Sequence, residues 1–424
     1  MKVLIISNTV ISNVSNMGKT LKAYFRDFVG TDIAQLYIHS QIPTDSEVCE
    51  KYYRFTDVDA LKSIFFSKSK GRTYTSNDIS ASDNIHENAG AAEVLYSAGN
   101  KRTPLMQLAR DIVWRYSRWF SEEMKQWLKE FDPDVIFFAS GDVIFMYDIV
   151  LKISEFLDIP IVISCYDDFY INNPNGKGWI SYFQHRRLMA RATSVFKRSM
   201  FATTVCESMA RDYAKKFNKV CKVIYTGAEQ WNDSNTFENM QISYIGNLSL
   251  GRYEQIISIG KTLKELNSIP KYVDVYSGEN DPKITAQLIL ENGIVFHGRI
   301  SSAEVKDVMK NSMAVIHTES FDEYYQDRVR YSVSTKIADS LMNGPCILAY
   351  GPKGIASIDY LNSYDAAYVI DSKSKLKDGL VSFMEDEKER ERIVNNARKL
   401  AFDNHDINNN SKALKSWIEK SLDI

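Results

Sequence analysis

The sequence predicts an α/β protein of two doubly wound domains, and three observations carry that expectation. Short, continuous apolar runs recur along the chain, as do the strands of a parallel sheet buried on both faces. Segments of helical periodicity separate them, giving the rhythm of strand, crossover helix and next strand. At 424 residues the chain exceeds what one hydrophobic core holds and suits two domains of about 200 residues each.

In chain order, Val3 to Ser7 reads as the first buried strand, and a polar loop leads into a helix from about Gly18. Gly18-Lys19-Thr20 would close a phosphate-cradling Walker motif, but the glycine needed at its start falls on Asn13, which excludes that reading. A second strand, Ile33 to His39, is followed by a polar stretch, Lys68 to Thr103, without sustained periodicity; loops of that length are usually functional or disordered. From Met106 to Phe131 apolar residues return at helical spacing, and their tryptophans read as packing groups. Asp132-Pro133-Asp134 precedes the strand Val135 to Ala139. Acids that enter a buried strand behind a helix-ending proline do not form the carboxylate pair of a metal site.

A second unit of the same kind follows, with helix Val143 to Leu157 and strand Pro160 to Cys165, beyond which stand Asp167 and Asp168. Lys177 to Phe201 combines Trp, Tyr and Phe with Lys and Arg. It suits an anionic membrane surface, or equally a core helix with a solvated basic face. Strand Met200 to Cys206 and helix Glu207 to Phe217 come next. Polar residues 228 to 239 set a boundary near 238, so the domains expected are 1 to 238 and 239 to 405, with 406 to 424 as a last helix. In the second domain strands are expected at 242 to 245, 272 to 277 and 313 to 317. Glu319 lies just past the third, where open α/β sheets bind ligands. Ser334 can N-cap a helix from Thr335 to Asn343 that carries Lys336 and Asp339 and stops at Gly344. A helix N-terminus with hydroxyls and a lysine attracts phosphate oxygens.

Composition narrows the function. A hydrophobic content of 44% with 25% charged residues is ordinary for a globular protein. The net charge of −2 supplies no basic field, so no nucleic-acid partner is expected. Five cysteines include no C-x-x-C pair, and Cys165, Cys206 and Cys346 read as small buried hydrophobes in a reducing compartment. The apolar start MKVLIIS turns polar too soon for a signal peptide, and no later run reaches membrane-spanning length. A cytoplasmic protein is expected, at most peripheral to the inner membrane face.

The stretch from His317 to Pro352 resembles the retaining glycosyltransferases of the GT-B fold, of the glycosyltransferase family 4 type. Those proteins carry one glutamate after a strand and a second opening the helix E-A-x-A-x-G-x-P. Glu319 matches the first, and Asp339 the second when counted back from Gly344-Pro345; Asp327 keeps the usual spacing but lacks the Gly-Pro. The loop before the helix, YSVSTKIADSL, is similar to that of a bacterial subset. GNLSLGRY, beginning at Gly246, resembles the turn G-R-L-x-x-x-K-G whose two cations hold the donor pyrophosphate; Asn247 replaces the arginine and Arg252 stands at the lysine.

The resemblance covers the whole chain and implies two domains facing across a cleft, with the C-terminal helix crossing back to the first. It implies transfer of a sugar from a UDP- or GDP-sugar to a hydroxyl of a glycan, lipid-linked or protein-linked acceptor on a bacterial surface polysaccharide, with retention. The nucleotide-sugar is a substrate, and neither cofactor nor metal is implied. Arg252, Lys336 and Glu319 are the expected catalytic groups. Gly246, Asn247, Ser334, Thr335 and Asp339 would join them on the nucleotide-sugar, with Arg299 and Ile300 at the base, and Gly18, Asp167 and Asp168 on the acceptor side. Two alternatives stay open: a catalytically silent subunit that stabilises a partner transferase, and a nucleotide-sugar epimerase of the same fold.

Overall fold

The computed structural model describes residues 1–13, 15–44, 46–66, 71–79, 103–171, 178–231, 241–267 and 270–423. It divides into two compact units, Met1–Ile224 with Asn410–Ile424, and Tyr225–Asn409. The boundary expected near 238 lies outside the described residues, as do Lys177 and residues 80–102 of the expected excursion.

The first unit is organised on one sheet of β1 Lys2–Ser7, β2 Asp32–Tyr37, β3 Lys51–Arg54, β4 Arg72–Thr75, β5 Val135–Ala139, β6 Ile161–Ser164, β7 Ser199–Thr204 and β8 Cys221–Val223. Their order is β4-β3-β2-β1-β5-β6-β7-β8, and every described neighbour pair is parallel except β3 with β4. Residues 71–79 are therefore no irregular excursion: Arg72–Thr75 pairs with β3 as an edge strand. The apolar runs behave as expected, since VIFFA of β5 is buried throughout and Phe25 meets Phe137 edge-on at 4.9 Å. The helical stretch expected over 106–131 is two helices, Pro104–Tyr116 and Glu122–Phe131, separately capped by Thr103 and Ser121. Trp114 is core, stacked on Phe145 at 4.3 Å with its indole N–H donated to Asp57 at 2.6 Å. The last helix, Ile407–Ser421, buries Leu414 and Ile418 in this unit's core. Its Ser411 hydroxyl donates to Tyr24 O at 3.0 Å, so the chain ends on the unit in which it began.

The second unit has β9 Gln241–Ile245, β10 Val273–Tyr276, β11 Ile294–Gly298, β12 Ser312–Thr318, β13 Cys346–Tyr350 and β14 Tyr368–Ile370, in the order β11-β10-β9-β12-β13-β14. All described pairs are parallel. Ile242, Val275, Ala314, Ile316 and Leu348 pack into its core with Ile256, Ile259 and Leu263 from the helix Arg252–Leu266. The order reverses between β9 and β12. Such a reversal splays the connecting helices to opposite faces and opens a crevice at the strands' carboxyl ends.

All five cysteines are free, four of them buried and Cys221 half-buried. Among the described residues no helix is long and apolar enough to cross a membrane.

Candidate functional site

The crevice at the β9/β12 reversal is where the second unit's charged groups converge. After β9 the chain turns through Leu250 at φ +59 and Gly251 at φ +73 and enters the helix at Arg252. Only glycine fits the second of these positions. A Cβ on Gly251 would stand 2.7 Å from Ser320 Oγ and 2.9 Å from the Tyr325 ring, on top of the cost of left-handed backbone. That close approach brings the loop after β9 against the loop after β12. Arg252 then reaches across the reversal to Glu319, donating from Nε to Oε2 at 3.0 Å and from a terminal nitrogen to Oε1 at 2.9 Å.

The pair is bidentate and nearly dry, with the Glu319 side chain 2% exposed. Burial pushes the Glu319 carboxyl above its ordinary range, against the pull of Arg252. Burial also opposes the Arg252 charge, but Glu319 more than compensates and leaves the guanidinium raised. Two charge-assisted bonds, at 3.0 and 2.9 Å, join the pair.

Lys336 enters from the helix Thr335–Asn343. Its ammonium stands 2.7 Å from where a Cβ would sit on Gly246, so the glycine at the end of β9 leaves room for it. The residue as a whole is exposed. Even so, the packing around its ammonium lowers its pKa; the Arg252 charge adds to this and the Asp339 carboxylate one turn along opposes it. Ser334 occupies the N-cap position, but its side chain makes no capping bond. Gly251 likewise offers no cap to the other helix. Two helix N-termini are thus left without capping side chains beside two cations, an arrangement suited to phosphate oxygens. At the far end of Thr335–Asn343, Arg398 donates to Leu341 O at 2.6 Å and to Gly344 O at 2.5 Å. Gly344 is required there for space rather than for its backbone angle, because a Cβ would lie 2.8 Å from Ser340 O.

The remaining expected residues are distributed as follows. Asn247 is exposed and accepts from Ser249 N at 2.7 Å, shaping the turn rather than supplying charge. Arg299 is exposed and packs near Gly278, with Ile300 half-buried next to it, beyond the end of β11. In the first unit Gly18 is buried where a Cβ would meet Ser12, Ser15 and Val10, past the carboxyl end of β1 at that sheet's own reversal. Asp168 turns its Oδ1 on its own loop, accepting from Tyr170 N at 3.0 Å, Ile171 N at 2.9 Å and Tyr213 OH at 2.7 Å. Asp167 is exposed.

Two groups carry no role in the sequence reading. His317, the penultimate residue of β12, bonds Ser357 Oγ at 2.9 Å. Burial first, then the charges of Arg252 and Lys336, lower its pKa to about 3, so it is a neutral imidazole at the edge of a cationic site. Tyr244 is buried and donates to Asn247 O at 2.5 Å. A polar ring inside each of two apolar strands, one on either side of the reversal, was the available signal. Among the described residues no group of three or more His, Cys, Asp or Glu side chains could hold a metal ion.

Comparison with known proteins agrees with this architecture. The chain superposes on HepE from Anabaena in complex with UDP-glucose with a TM-score of 0.60, at 13% identity over 99% of this chain and 100% of that one. The fold is GT-B. A glycosyltransferase from Rickettsia africae gives a TM-score of 0.60 at 12% identity, covering 99% and 98% of the two chains. WaaG, a glycosyltransferase involved in lipopolysaccharide biosynthesis, gives 0.57 at 12% identity over 98% and 99%. The profile of the family described as "Glycosyl transferase-like" matches residues 260–416, which lie mostly in the second GT-B unit and include Glu319 and Lys336. No curated protein matches the sequence.

Proposed function

We propose that the chain is a nucleotide-sugar-dependent glycosyltransferase of the retaining, family 4 type. It moves a sugar from a UDP- or GDP-sugar to a hydroxyl of a glycan, lipid-linked or protein-linked acceptor in surface polysaccharide synthesis. The observation that carries the reading is the meeting of Arg252, Lys336 and two helix N-termini without capping side chains at one sheet reversal. HepE, a fold relative, binds UDP-glucose.

Breaking a glycosidic phosphate bond builds negative charge on the departing nucleotide, and fixed cations and N–H dipoles aimed at that charge lower the barrier. Arg252 and Lys336 supply the cations, and Gly246, Ser334 and Thr335 line the phosphates. Asp339 holds ribose hydroxyls, Arg299 and Ile300 lie against the base, and Glu319 meets the donor's sugar while it orients Arg252. Gly18, Asp167 and Asp168, on the first unit, serve the acceptor.

A thermal-shift panel of UDP- and GDP-sugars tests donor binding. A ligand at a hundred times its dissociation constant adds about 2.7 kcal/mol of stability. An unmoved melting temperature for every donor, at concentrations that stabilise HepE, rejects the reading. Turnover is expected to survive EDTA, because protein cations meet the phosphate charge. Complete loss on chelation, restored by Mn²⁺ or Mg²⁺, rejects the metal-free mechanism. Retention is read from the anomeric configuration of the product.

A further inference from the structure

Among the described residues, the first unit carries an apolar face that nothing covers. The helices Pro104–Tyr116 and Trp179–Arg198 pack side by side, joined by Arg187 donating to Asp111 at 3.3 Å. On the first, Leu105, Ile112 and Tyr116 recur at helical spacing and all are exposed. On the second, Trp179, Tyr182 and Phe183 do the same, Trp179 being 80% exposed. Large apolar side chains normally turn inward on such helices, and the inward positions are already filled by Trp114, Leu188, Val195 and Phe196. The outward set is therefore a second apolar stripe.

Charge identifies what covers it. Arg115, Arg186 and Lys197 are exposed on the same two helices. The helix Trp179–Arg198 contains no acid at all, and the one acid of Pro104–Tyr116, Asp111, is buried against Arg187. In a chain of net charge −2 this is a local cationic surface. We infer that the face formed by these two helices docks on an anionic lipid bilayer. Trp179, Tyr182, Phe183 and Leu105 enter the headgroup boundary, and Arg115, Arg186 and Lys197 meet lipid phosphates. A second copy of the chain is the poorer occupant, because a two-fold interface sets each patch against itself and opposes like charges. Arg187 and Arg191 belong to internal pairs with Asp111 and Asp148 and hold the helices in place.

The test is co-sedimentation of the full chain with vesicles of phosphatidylcholine alone and of phosphatidylcholine with phosphatidylglycerol, at 0.1 and 0.5 M salt. Binding is expected only to the anionic vesicles and is expected to be released at high salt, where the Debye length falls to several ångströms. Arg186→Glu with Lys197→Glu is expected to lower the partition coefficient at least about tenfold, as is Trp179→Ser with Phe183→Ser. All four positions are exposed, so both variants are expected to melt with the wild type. Trp179 emission, taken as the difference from Trp179→Phe, is expected to shift blue on anionic vesicles only. Equal binding to both vesicle types, no binding to either, or variants that bind like the wild type each overturn the inference. So does a dimer in sedimentation velocity that the Trp179/Phe183 variant abolishes. No sugar donor is present in any arm, so this inference and the transferase reading fail separately.

Discussion

At the scale of single residues, the decisive fact is that Arg252 is already bonded to Glu319. In the sequence the two look independent, a cation for phosphate and an acid for sugar. In space one neutralises the other, and Lys336 is left as the cation without a bidentate acid. Removing Arg252 would strand a carboxylate in a dry site at a cost of about 3–5 kcal/mol, so its loss confounds binding with folding. Glu319→Gln is the cleaner probe, since it keeps the shape and one acceptor while deleting the negative charge. It is expected to tighten free nucleoside diphosphate several-fold, because the charge of Arg252 is no longer offset, and to lower kcat, because the sugar contact is weakened. Calorimetry with nucleotide and with intact donor decides, and weaker nucleotide binding would mean that Glu319 chiefly positions Arg252. Lys336 adds a pH signature. Its pKa is lowered by the packing around its ammonium and by Arg252, so its charge disappears as pH rises at a lower value than for an ordinary lysine. Donor affinity is expected to fall on the alkaline side, and Lys336→Arg to flatten that limb. A wild-type profile flat through pH 10 would exclude the ammonium from the phosphate site.

At the scale of elements, the strands and helices nearest the site were legible because their patterns are unambiguous. The helix 335–343 was bounded correctly by Ser334 and Gly344, and β12 was placed to within one residue at each end by its apolar run. Glu319 follows β12 directly, as a ligand group at a strand's carboxyl end should. What could not be read was partnership. Nothing local says that Ser334 forgoes its capping bond, or that Arg398, more than fifty positions on, satisfies the helix's last carbonyls. The strands β3 and β4 were missed because KYYR and RTYT mix charge with aromatics at a sheet edge and lack the apolar run of a central strand. The turn at Gly251 is the element on which the site depends. Gly251→Ala meets both the left-handed backbone and Ser320, so it is expected to cost about 1–3 kcal/mol and to displace Arg252. Arg252 displacement would appear as a donor affinity loss larger than for Gly354→Ala. Gly354 is also left-handed, at φ +89, but a Cβ there meets nothing within 4 Å. Equal effects of the two substitutions would reduce Gly251 to a backbone role.

At the scale of the whole molecule, the chain's passage into its last helix places a histidine where acid should act. His405 is 1% exposed and closes the helix Glu387–His405. Its Nδ1 lies 2.7 Å from Thr226 O and its Nε2 2.8 Å from Tyr360 OH. The carbonyl can only accept, so Nδ1 carries the proton and Nε2 accepts from the tyrosine. A second proton would turn Nε2 into a donor facing a hydroxyl that already receives Asn404 Nδ2 at 3.1 Å. Burial lowers the His405 pKa to about 4 from 6.5, against the support of Thr226. The unfolded chain therefore takes up a proton below pH 6.5 that the folded one refuses until about pH 4. The stability contributed by neutral His405 is present above 6.5 and is lost as pH falls through that window, by roughly 3 kcal/mol at most. His317 adds a loss of the same sign that begins over the same range and continues to about pH 3. The melting temperature is expected to drop more steeply between pH 6.5 and 4.5 in the wild type than in His405→Gln, which keeps a donor and an acceptor but cannot titrate. Carboxylates titrate in both proteins and cancel in the comparison, so parallel slopes would mean that His405 takes up its proton in the native fold over the same pH range as in the unfolded chain.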